Sequence, residues 1–78
     1  MQLGAVKRAM VSGQMVTMNG GDAFAGIRYR VRGVIMRMRQ NADAAGGYEW
    51  VYYAELADRS GCITVAPLER VIEVEEGA

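Results

Sequence analysis

The segment "RYRVRGVIMRMR", residues 28–39, carries five arginines in twelve positions. Its interleaving of charged and apolar residues is that of a β-strand, whose side chains point to opposite faces with a period of two. Strict alternation nevertheless fails. Arg28, Arg30 and Arg32 share one face, while Arg37 and Arg39 fall on the other. An evenly spaced strand would drive charge into the core whichever way it faced, and an unpaired buried charge is very costly. One extra residue at Gly33 removes the conflict, because glycine within a strand marks bulges and sharp bends. With that bulge Tyr29, Val31, Val34, Met36 and Met38 point inward, and all five arginines point outward with Ile35.

A second long strand is predicted over 48–58. Trp50, Tyr52, Ala54 and Leu56 form its inward set, and Glu49, Val51, Tyr53, Glu55 and Ala57 its outward set. Matching faces across the hairpin sets Arg39 against Glu49, Arg37 against Val51 and Ile35 against Tyr53. Beyond the bulge Arg32 falls opposite Glu55, and Arg30 opposite Ala57. Arg28, Arg30 and Arg37 are left without an assigned partner, around the outward aromatic Tyr53. These four residues are the candidate ligand- or partner-binding set. An ion-paired surface is the alternative, with Glu69, Glu73, Glu75 or Glu76 neutralising the same arginines.

The rest of the chain frames this hairpin. Leu3, Val6 and Met10 recur at helical spacing, and Gly13 supplies a C′ stop, so a short helix is expected over 2–11. "QMVTM" reads as a first strand, "NGG" as its turn and 22–26 as a loop. A turn at 40–47 joins the two long strands. "DRSG" leads to a short strand at 62–66, Pro67 ends it, and "PLER" suits one tight helical turn before a last strand at 71–75. This order predicts a single mostly β domain over 1–78. It is a small SH3-like five-stranded bent barrel over 14–76 with one short N-terminal helix. A split α+β sheet is the competing arrangement.

Composition narrows the chemistry. Nine Lys/Arg balance nine Asp/Glu, so there is no long-range field to gather nucleic acid, which makes direct nucleic-acid binding the weaker partner class. Histidine is absent, removing the commonest general base and metal ligand. The single Cys62 cannot form an internal disulfide and has no histidine to activate it, so it reads as a buried structural thiol. "NGGDAFAG" lacks the Gly-Lys-Ser/Thr ending of a phosphate loop and reads as a turn. No metal, no cofactor and no catalytic residue is expected. No apolar run is long enough to span a membrane, and the N-terminus lacks a signal-peptide apolar region, so the expected location is the cytoplasm.

The stretches "GIRYRVRGVIMRMR" (26–39) and "YAELADRSGCITVAPLERV" (53–71) resemble a type of small, uncharacterised protein of phages, prophages and other bacterial mobile elements. The residues carrying this are Gly26, Ile27 and Tyr29, then Ala54, Glu55, Leu56 and Asp58, then Cys62 through Ala66. A weaker similarity, in "TVAPLERV", is to the type II dihydrofolate reductases, which are tetrameric SH3-like barrels. Their pore-lining Val-Gln-Ile-Tyr run has no counterpart in "GCITV", so no active-site residue is carried over. The first resemblance implies a host-cell setting. It suits a non-enzymatic oligomeric binding module, with counter-defence as its setting, that sequesters an anionic nucleotide signal or blocks a host protein. A reductase-like enzyme and a nucleic-acid accessory protein are the alternatives. Self-association is expected because 78 residues give a small core, with Val51 and Tyr53 as outward apolar residues.

Overall fold

The computed structural model describes residues 1–19 and 26–74. Helix α1 (Leu3–Ser12) precedes five strands: β1 (Met15–Met18), β2 (Tyr29–Gln40), β3 (Tyr48–Ala57), β4 (Ile63–Pro67) and β5 (Val71–Glu73). All pairings are antiparallel, in the order β4-β3-β2-β1-β5. Gly13 ends α1 at φ 77°, and its N–H donates to Ala9 O at 2.9 Å. Its positive φ is the left-handed conformation that glycine adopts without a steric cost. Val6 and Ala9 carry the buried stripe of the helix, whereas Met10 turns to the surface. The loop expected at 22–26 and the end of the last strand fall largely outside the described residues.

The strand-parity conflict is resolved as the arginines require. The β2–β3 register runs from Gln40↔Tyr48 down to Gly33↔Glu55 and then shifts, resuming at Val31↔Leu56. Arg32 is the residue left out of the ladder, and Gly33 takes the place opposite Glu55 that Arg32 was expected to fill. Arg28, Arg30, Arg32, Arg37 and Arg39 are all exposed. Glycine's special freedom is not what sets the bulge, because Gly33 lacks a positive φ. A Cβ there would meet Glu55 Oε1 at 3.8 Å, an ordinary contact. Parity places the bulge, not the glycine.

The core lies between α1 and one face of the sheet. It comprises Val6 and Ala9 with Val16, Met18, Tyr29, Val31, Ala54, Leu56, Ala66 and Val71. Met1, Val34 and Leu68 pack at its margin, and the N-terminal ammonium donates to Leu68 O and Val71 O at 2.7 and 2.8 Å. Thus α1 is tied to the 3-10 turn Leu68–Arg70 and to β5. At the other end of β1, Asn19 N–H donates to Arg70 O at 2.7 Å.

Two expectations are corrected here. The sheet does not close into a barrel: β4 pairs with β3 and β5 with β1, and no ladder joins β4 to β5 among the described residues. With four residues in β1 and three in β5, the flanking strands are too short to carry a small barrel around. Second, Met36, Met38 and Trp50 lie on the core-side face but are not in the core. They are 52%, 54% and 55% exposed. The reason is length. β1 pairs with β2 only at Tyr29 and Arg30, and β4 pairs with β3 only from Tyr53 onward. Beyond these points β2 and β3 run on as a two-stranded arm. The radius of gyration, 13.7 Å, exceeds the about 11.5 Å expected for a compact chain of this length.

The bulge makes an unusual deletion test available. Removing Arg32 leaves Arg30 and Gly33 outward and Val31 and Val34 inward, so the shortened chain should still fold cooperatively. Removing Ile35 instead can be absorbed only by flattening the bulge, which keeps Tyr29–Arg32 on their faces but turns Val34 outward and Gly33 inward, so urea denaturation should show a larger loss of stability than for the Arg32 deletion. Leu56→Ala, at a fully buried position, should cost about 2–5 kcal/mol in urea denaturation.

Candidate functional site

The outer face of the sheet carries a transverse row built by register: Met15 of β1 beside Arg30 of β2, Ala57 of β3 and Ile63 of β4. Arg32 follows Arg30 on β2, and Arg28 lies just before the strand begins. The turn after β3 then brings Arg59 and Ser60 over this row. Its shape is fixed by one carboxylate. Asp58 Oδ1 accepts from Ser60 N–H at 2.9 Å, Ser60 Oγ–H at 2.7 Å and Cys62 N–H at 3.0 Å. Asp58 N–H donates to Cys62 O, and Gly61, at φ 90°, donates its N–H to Asp58 O. An aspartate that bonds its own following amides is a common way of holding a tight turn.

Between this turn and β1–β2 lies a groove with two lobes. One, of about 760 Å³, is lined by Met15, Gly26, Ile27, Arg28, Asp58, Arg59 and Ser60. The other, of about 420 Å³, shares Met15, Asp58, Arg59 and Ser60 with it and adds Arg30, Arg32, Ala57 and Gly61. Four arginines therefore line two adjoining lobes that share Met15, Asp58, Arg59 and Ser60. None of the four has an ion-pair partner among the described residues. Asp58 lines both lobes but forms no ion pair with any of the four, and its Oδ1 is engaged by the turn. The Ser60 hydroxyl, followed by the backbone amides, holds the Asp58 pKa below the ordinary aspartate value.

The four residues singled out in the sequence divide into two groups. Arg28 and Arg30 border the groove. Arg37 and Tyr53 sit together on the hairpin arm, the guanidinium 5.8 Å from the ring centroid, within cation–π range. Six ladder steps separate Arg30 from Arg37, roughly 20 Å at about 3.3 Å per step. Tyr53 is nearer, four residues along β3 from Ala57, the partner of Arg30, or roughly 13 Å. Further along the arm Arg39 pairs with Glu49 as the register predicts, at 2.6 Å from both Nε and Nη2 to Oε1. Hydrogen bonds from Arg39 and Asn41 lower the Glu49 pKa, and the Arg39 pKa rises in turn.

Sequence reasoning missed Arg32 and Arg59 as groove residues. Both were within reach of the register: Arg32 is the unpaired bulge residue, and Arg59 follows two positions after the partner of Arg30. Cys62 is also corrected. Its thiol is exposed, not buried, with Sγ 3.5 Å from Ser60 Oγ, because it lies in the turn before β4 begins. Among the described residues no group of three or more His, Cys, Asp or Glu side chains is placed to hold a metal ion. No helix among them is long and apolar enough to cross a membrane. No family model, curated protein or solved structure matches the chain.

The Asp58 turn yields a pH test. A carboxylate with a depressed folded pKa contributes stability that is present above its unfolded value, about 3.9. That contribution is lost as pH falls through the lower folded value. Carbon-detected NMR titration should place the Asp58 midpoint below that of a free aspartate. Asp58→Ala should lower the melting temperature at neutral pH and abolish the corresponding acid-side loss.

Proposed function

We propose that this chain is a non-enzymatic binding module that holds a phosphate-bearing small molecule, a nucleotide by preference, in the groove bordered by Arg28, Arg30, Arg32 and Arg59. One observation carries the reading: four arginines lining two adjoining lobes of one groove, with no ion-pair partner among the described residues. Like charges crowded on one surface repel one another, and a multiply charged anion relieves that repulsion. Arginine suits the task because its planar fork gives two parallel hydrogen bonds to a phosphate. The floor of Met15 and Ile27 offers apolar contact to the uncharged part of such a ligand. A volume near 760 Å³ falls within the usual range for small-molecule sites.

The balance of charges favours a small ligand over a nucleic-acid strand. The chain has zero net charge, so it lacks the long-range field that gathers a polyanion, and Arg39, at the far end of the arginine row, is neutralised by Glu49. The sequence has no histidine, and Asp58, the one carboxylate lining the groove among the described residues, holds its turn through Oδ1 with a lowered pKa that makes it a weak base, which supports binding over catalysis. Together with the resemblance to mobile-element proteins, this makes sequestration of a nucleotide signal in a host cell the role we propose.

Calorimetry with pyrophosphate, ATP and a cyclic dinucleotide at low salt tests it. At least one should bind, and raised salt should weaken the binding as charges are screened. Arg30→Ala and Arg59→Ala should each reduce affinity about tenfold to a hundredfold, the scale of a charge-assisted hydrogen bond. Asp58→Asn keeps an acceptor for the turn while removing a negative charge, so it should tighten binding. Arg39→Ala, on the arm, should have no effect. If none of the three anions gives heat or a thermal shift, the reading is wrong.

A further inference from the structure

The core-side face of the β2–β3 arm keeps its apolar character after the core has ended. Cross-strand pairs Met36↔Tyr52, Met38↔Trp50 and Gln40↔Tyr48 place six uncharged side chains on it. Met36, Met38, Tyr48 and Trp50 are each slightly more than half exposed. Every charged residue of the arm's two strands, namely Arg37, Arg39 and Glu49, is on the reverse face. A two-stranded ribbon is marginal in water unless another layer covers one side. Here neither α1 nor the flanking strands supplies that layer.

We infer that this face is covered by the same face of a second copy, giving a two-fold dimer in which the two arms stack as sheet on sheet. Three features select a second copy. A two-fold interface must be self-complementary, because each patch meets itself. An uncharged Met and aromatic surface meets that condition, whereas a patch bearing arginines would set like charges together. The segregation of charge to the reverse face also leaves nothing here for a charged partner to recognise. Area is the third feature. At half exposure the four side chains leave roughly 400 Å² per copy, taking about 200 Å² for each when fully exposed. Two copies of these four side chains give roughly 800 Å², so Gln40, Tyr52 and the ribbon backbone at the rim must supply roughly another 400 Å² to reach the low end of stable interfaces, about 1,200 Å² in total. Methionines at the centre adapt their shape to an opposing surface. The dimer axis lies on the arm, away from the arginine groove, so both grooves stay open.

Sedimentation at micromolar concentration should give about twice the chain mass of 8.5 kDa. Trp50 is the only tryptophan, so its emission reports directly on the face: it should be blue-shifted in the dimer and move to the red on dilution. Met38→Glu should weaken dimerisation by at least about tenfold with an unchanged far-ultraviolet spectrum. Met36→Lys serves as an independent second variant. Val51→Glu, opposite Arg37 on the reverse face, should leave the dimer intact. A wild-type chain that remains at 8.5 kDa overturns the inference. So does a dimer that persists in folded Met38→Glu or Met36→Lys chains, or one that only Val51→Glu dissociates.

Discussion

A guanidinium group cannot be left unpaired in an apolar core, and in β2 that rule acts on four arginines at once, with Arg28 just before the strand. Because strand side chains alternate strictly, one uneven step is the only way to keep them all on the same side. That step is the shift between Val31 and Gly33, and the remaining architecture follows from it. It sets Val31 against Leu56 in the core and Arg39 against Glu49 at the tip. It also lifts Arg32 out of the ladder, so that this residue joins Arg30 and the Asp58 turn at the groove. Electrostatic exclusion from the core and assembly of a basic concavity are here one event.

The hairpin then separates two environments along its length. Near its base it is sandwiched by β1 and β4, supported by α1, and its outer surface forms the groove. Toward its tip it is a bare ribbon, with arginines on one side and methionines and aromatics on the other. The cation–π contact of Arg37 with Tyr53 and the Arg39–Glu49 pair hold the charged side of the arm. Both are exposed, solvent-screened interactions and add little to stability. Burial at the base is what holds the molecule together, through fully buried Leu56, Val6, Val16 and Val71.

What the sequence disclosed was orientation, and what it concealed was extent. Period-two alternation correctly assigned Trp50 and Met38 to the same side as Leu56, yet it carries no information on how far the covering elements reach. That depends on β1 having only four residues and β4 joining β3 only from Tyr53, lengths set by turns elsewhere in the chain. The same ignorance of extent made a barrel of an open sheet. The helix stop at Gly13 and the tight turn after Pro67 were legible because each rests on a local backbone requirement. The groove was half legible: Arg28 and Arg30 stood out as unpartnered strand residues. Arg59 did not, because its position depends on how the Asp58 turn folds back over β1. Cys62 was misjudged for a related reason, since a residue one position before a strand is subject to no alternation.

The pairing of β1 with β5 joins residues as far apart as Val16 and Glu73, whereas β2 meets β3 through a short turn. Closing a long loop costs more chain entropy than closing a short one, and hairpins of this kind assemble on the microsecond scale. On loop-closure grounds the β2–β3 hairpin is the cheaper pairing to close and the β1–β5 ladder the costlier one. Without β5, β1 has an open edge and Met18 and Val16 lack one side of their cover. The three-residue β5 is thus the latch of the domain, the short element that closes the edge of β1.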